Sequence, residues 1–141
     1  MKKEPIRERL LIVDDDSDLC AMLREALERP GRHIDLVNTR TAAEAALRTT
    51  RYNLVLADIF LPDTTMLELV DFIREIDLDY PVVLMSGALT APVMAPDGDS
   101  TQEPDFLRLL ADRRGVLQIL EKPFDIRLLQ DTIDRILKEY Q

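Results

Sequence analysis

Five polar residues stand where apolar runs break off: Asp14 and Asp15 after Leu10–Val13, Asp58 after Leu54–Ala57, Ser86 after Val82–Met85, and Lys122 close behind Val116–Leu120. If the chain gathers those ends, three carboxylates meet and repel one another strongly unless a cation neutralises them. Oxygen ligands with no His or Cys beside them select a hard ion, and an exposed setting suits Mg²⁺, which keeps several waters and uses few protein ligands. Bound Mg²⁺ can neutralise a transferring phosphoryl group, whose transition state needs charge stabilisation and placement more than covalent help. Lys122 would add a positive point charge and Ser86 a hydroxyl donor. Each residue also has a plainer reading. Asp14, Asp15 and Asp16 can be a solvated turn capping a helix, Asp58 an ordinary strand-end carboxylate, Ser86 a turn residue before Gly87, and Lys122 a surface charge.

The elements that would position these residues follow from hydrophobic patterning. Short, wholly apolar runs at Leu10–Val13, Ile34–Val37, Leu54–Ala57, Val82–Met85 and Val116–Leu120 read as strands buried on both faces. Between them, Leu19, Met22, Leu23, Ala26 and Leu27 recur at helical spacing, with Asp16 and Ser17 as candidate N-caps and Pro30-Gly31 as the stop. Thr41–Thr50 reads as a second helix. Thr65 and Glu68 have capping-box spacing ahead of Met66, Leu69, Val70 and Ile73. A short helix at about Asp105–Asp112 and a last one carrying Ile126, Leu129, Ile133 and Ile136 bring the helices to five. Alternating strands and helices predict an α/β fold, a doubly wound five-stranded parallel sheet flanked by five helices. Ligands of such sheets bind at the carboxyl ends of the strands, where the five polar residues stand.

With 141 residues, the chain reads as one domain, 1–141, with a core over 10–140 and an extended loop at about 88–104 that holds three prolines. Such loops are uncommon in compact domains. A net charge of −9 disfavours direct contact with nucleic acid. No apolar run approaches the roughly 20 residues of a membrane span, and the charged amino-terminal segment lacks the pattern of a signal peptide, so the expected location is the cytoplasm. Cys20, the single cysteine, falls on the apolar face of the first helix and reads as a small buried hydrophobe.

Four segments carry a resemblance. Leu11-Ile12-Val13-Asp14-Asp15-Asp16, Asn53 through Asp63 around Asp58, Val82-Val83-Leu84-Met85-Ser86-Gly87 and Glu121-Lys122-Pro123-Phe124 resemble, in order, the signature segments of the response-regulator receiver family. The resemblance runs from about Leu10 to Tyr140. It implies a flavodoxin-like strand order 2-1-3-4-5 and a phosphorylation switch. In that switch Asp58 accepts phosphate from a histidine kinase or histidine phosphotransfer protein. Asp15, Asp58 and the main-chain carbonyl of Phe60 hold Mg²⁺, and Asp14 acts through a coordinated water. Ser86 and Lys122 contact the phosphoryl group, and the Lys122-Pro123 bond is cis. The implied partners are the phosphodonor, a downstream effector domain or protein, and a second copy of the chain on phosphorylation. The chain reads as a stand-alone regulator or as the receiver of a longer protein. His33, just before the second strand, is expected away from the site, so the phosphohistidine belongs to another protein.

The sequence departs from the family at Met66, where a glycine is common, and at Ile119, where an aromatic ring often reorients on activation. A residue with a Cβ loses about 1–2 kcal/mol in a left-handed conformation, so the third helix is expected to begin at Thr65 by its capping box. Without the ring, the loop beginning at Ala88 and the helix after it are expected to carry the response. Two other functions compete. One is a phosphate-independent docking module of the same fold. The other is a Mg²⁺-dependent phosphohydrolase, against which stands the absence of an Asp-x-Asp-Thr/Val-Gly-type motif at Asp14-Asp15-Asp16.

Overall fold

A computed structural model describes residues 5–58, 68–86, 116–121 and 125–139. Five strands, β1 (Glu8–Val13), β2 (Arg32–Val37), β3 (Leu54–Asp58), β4 (Val82–Ser86) and β5 (Val116–Glu121), form one sheet in the order β2-β1-β3-β4-β5. Every pairing is parallel. The described helices are α1 (Ser17–Leu27), α2 (Arg40–Thr49), α3 (Glu68–Ile76) and α4 (Ile126–Glu139). The short helix expected near Asp105–Asp112, the loop at 88–104, Thr65, Met66, Phe60 and the Lys122-Pro123 bond lie outside the described residues.

Strand period divides the core in two. In β1, Leu11 and Val13 face a cluster that α2 and α3 complete with Ala43, Leu47, Leu69, Val70 and Ile73. Leu10 and Ile12 face the opposite cluster, which α1 and α4 complete with Leu23, Leu27, Leu129, Ile133 and Ile136. Both faces of the sheet are thereby covered, which is why its strands read as continuous apolar runs. Two residues expected in the apolar stripes are exposed instead: Met22 on α1 and Ile126 at the start of α4. The buried stripe of α1 narrows to Cys20, Leu23 and Leu27, and that of α4 includes Leu137, which the patterning missed.

β1 and β2 start earlier than their apolar runs. Glu8 pairs with Arg32 in register, and the Arg32 guanidinium donates to the Glu8 carboxylate at 3.0 Å, to the Leu27 carbonyl at 2.7 Å and to Asp134 at 2.9 Å. One nearly buried cation thus joins β1, the end of α1 and α4. Ahead of it the chain turns through Gly31, whose φ of +81° favours glycine and whose carbonyl accepts from Arg7 and Glu8.

Polar contacts also fill the amino-terminal side of the sheet. Arg9 and Asn53 exchange hydrogen bonds at 2.7 Å, Asn53 through its side-chain oxygen in one of them. The buried Tyr80 hydroxyl accepts from the Tyr52 backbone N–H at 2.7 Å, and the Tyr52 hydroxyl donates to Asp35 at 2.5 Å. His33, which lies inside β2 and not ahead of it, contacts the other Asp35 oxygen at 2.7 Å. Burial works against the charge of Asp35, yet the bonds from Tyr52 and His33 outweigh it and hold the carboxyl below the usual range. Burial, and then the Asp35 contact, pushes the Tyr52 hydroxyl well above its ordinary value; burial also raises Tyr80. Arg51 lies over the Tyr80 ring, 4.1 Å from its centroid, and pairs with Asp77 at 2.6 Å.

Candidate metal and phosphoacceptor site

The carboxyl ends of the three middle strands gather the acidic residues. Val13 is opposite Ala57, so the next residues, Asp14 and Asp58, emerge side by side, and Asp58 is opposite Met85 at the end of β4. Ser86 closes β4 and is 1 % exposed. Asp14 is fully buried and Asp58 is 9 % exposed, whereas Asp15 faces solvent. One oxygen from each of Asp14, Asp15 and Asp58 comes within 4.8 Å of the other two. Carboxylates this close to one another favour a cation among them.

This donor set is wholly carboxylate oxygen, two members at the floor and one at the rim, and it fits a hard divalent cation such as Mg²⁺ that retains waters on its open side. The Cys20 thiol is turned to the Asp14 carbonyl oxygen at 3.4 Å. Asp16 is the N-cap of α1, accepting from the Leu19 N–H at 3.1 Å, and is not a member of the cluster. A cavity of about 300 Å³ opens against Asp14 and is lined by Ser17, Cys20, Val37, Asn38 and Ala42 among others.

Of the residues singled out in the sequence, Asp14, Asp15 and Asp58 therefore meet, and Ser86 ends the strand beside Asp58. Lys122 and Phe60 lie outside the described residues. His33 stands near the start of β2, at the opposite end of that strand from Val37 and the cavity. Ile119 pairs with Leu84 and packs, partly buried, against the α2/α3 cluster. Cys20 was read only as filler. Its place four residues after the N-cap Asp16, on the inward face of α1, was the signal that it would approach the strand end.

A profile of the response regulator receiver domain matches residues 10–134. The chain belongs to the response-regulator receiver family. It is 29 % identical over 129 residues to the response regulator receiver protein CpdR of Brucella abortus, covering 92 % of this chain and 96 % of that one. To the C4-dicarboxylate transport transcriptional regulatory protein DctD of Pseudomonas aeruginosa it is 28 % identical over 92 % of this chain, but it spans only 25 % of that protein. Among solved structures, the non-phosphorylated HemR receiver domain from Leptospira biflexa superposes with a TM-score of 0.74 at 26 % identity, covering 93 % of this receiver and 94 % of that chain. The receiver fold of two-component response regulators is therefore shared along nearly the whole length, and the acidic cluster occupies its strand-end crevice. No helix among the described residues is long and apolar enough to cross a membrane.

Proposed function

We propose that this receiver is a phosphorylation switch in which Asp58 takes a phosphoryl group from a phosphohistidine on a histidine kinase or histidine phosphotransfer protein. The observation that carries the reading is the meeting of Asp58, at the end of a middle strand, with Asp14 and Asp15. An Asp58 oxygen attacks phosphorus, the P–N bond to the donor histidine breaks, and an acyl phosphate forms. Asp15, Asp58 and the Phe60 carbonyl would hold Mg²⁺ directly, and Asp14 would act through water. When bound, the ion supplies positive charge against the phosphoryl oxygens. The Ser86 hydroxyl donates to a phosphoryl oxygen and the Lys122 ammonium pairs with another. The new charge, about −1.5 to −2, shifts the surface offered to a downstream effector or to a second copy of the chain. Residues 1–141 act as one domain in the cytoplasm, with no direct contact with nucleic acid.

Acetyl phosphate with Mg²⁺, followed by intact mass, tests this. One phosphoryl adduct is expected on the wild type and none on Asp58→Asn. An Asp58→Asn protein that labels fully would overturn the acceptor assignment. A wild type that never labels would favour a docking module, and sustained release of inorganic phosphate from a generic phosphatase substrate would favour a phosphohydrolase.

A further inference from the structure

Asp14, at the floor of the cluster, is tied to the start of α1 at two of its atoms. Asp14 Oδ1 accepts from the Asp16 backbone N–H at 2.9 Å, and the Asp14 carbonyl receives the Cys20 thiol at 3.4 Å. Asp16 caps the same helix: its side chain accepts from Leu19 N–H at 3.1 Å and its carbonyl from Cys20 N–H at 3.0 Å. The contacts close a ring from Asp14 through Asp16 and the first turn of α1 to Cys20 and back. These contacts link the strand-end turn to the start of the helix. The cavity against Asp14, Ser17 and Cys20 leaves space into which the turn can shift once the cap no longer holds the helix start.

We infer that Asp16, with Cys20 behind it, is a positioning residue for the acidic site: the cap on α1 fixes where the Asp14 carboxylate sits, and so how tightly the three carboxylates hold a divalent cation. This rests on the reading of the cluster as a metal site. The effect runs through geometry and not through the charge of Asp16, which is exposed and outside the cluster.

The two causes separate by substitution. Asn caps a helix as well as Asp, whereas Ala does not. Mg²⁺ titration followed by the backbone amide shifts at the end of β1 should show Asp16→Ala binding about three- to fivefold more weakly and Asp16→Asn close to wild type. Hydrogen exchange without metal should show the residue-16 amide exchanging faster in Asp16→Ala and unchanged in Asp16→Asn. Cys20→Ala removes the thiol contact to the Asp14 carbonyl and leaves the cap intact, and should weaken Mg²⁺ less than Asp16→Ala does. Equal weakening in the Ala and Asn variants would make Asp16 a matter of charge and overturn the inference, as would wild-type affinity in both Asp16→Ala and Cys20→Ala. A wild type that binds no Mg²⁺ would remove the metal reading itself, and the positioning role with it.

Discussion

On the amino-terminal side of the sheet Asp77 sits 2.6 Å from Arg51, and Asp35 is held by both Tyr52 and His33; at the carboxyl ends Asp14, Asp15 and Asp58 crowd three like charges within 4.8 Å. The residue type is the same on both sides, and its neighbours decide its role. Among donors and cations a carboxylate strengthens the fold. Beside two other carboxylates it adds to a set of oxygens that a cation can bridge, and on the function proposed above that set is a binding site. The first side should therefore respond to substitution in stability alone, and the second in ligand binding.

The largest expected effect is on the structural side. Tyr80→Phe keeps the ring under Arg51 but leaves the buried Tyr52 N–H without its hydroxyl acceptor, which should lower unfolding free energy by about 1–3 kcal/mol. Chemical denaturation measures this. Mg²⁺ affinity should not change; a parallel fall in both would erase the distinction between the two sides.

At the site the effect reverses. Mg²⁺ at ten times its dissociation constant should stabilise the wild type by about 1.4 kcal/mol, and Asp15→Ala should lose most of that gain. Melting with and without Mg²⁺ is the measurement. An equal gain in Asp15→Ala would mean that the ion binds elsewhere.

The smallest effect is on pH dependence. Because Asp35 and Asp77 are held below their ordinary value of 3.8 in the fold, their contribution is complete above that value and is lost as pH falls through and below it. The backbone N–H of Asp79 and then Arg51 lower Asp77; bonds from Tyr52 and His33 lower Asp35 against its burial. Tyr52 and Tyr80 are raised from 10.0, so their contribution is complete below that value and is lost as pH rises through it. Asp35→Asn should flatten the acid limb of a stability-against-pH curve. If the limb is unchanged, the Tyr52–Asp35–His33 contacts carry no weight.

The acidic cluster was legible in sequence because each member ends an apolar run, and parallel sheets bring such ends together. The N-cap Asp16 was legible from its place before a helical stripe. The polar starts of β1 and β2 were not, because Glu8 and Arg32 satisfy each other only once the register is set, and a rule based on apolar runs cannot see a pair 24 residues apart. The same holds for Tyr52 and Asp35, whose contact depends on β2 and β3 flanking β1. Met22 and Ile126 show the converse: helical spacing puts them near the apolar stripe, but in the fold both are exposed.

The sheet order also gives the chain a schedule. β1 precedes both of its neighbours in the chain but sits between β2 and β3, so its two edges are filled only after residue 54 has left the ribosome. The face carrying Leu10 and Ile12 waits longer still, because Leu129, Ile133, Ile136 and Leu137 of α4 follow all five strands in the chain. Until they arrive, the nascent chain presents an apolar sheet face with Arg32 lacking its Asp134 contact. A ribosome stalled before α4 would hold a sticky, half-covered sheet that chaperones and proteases can recognise.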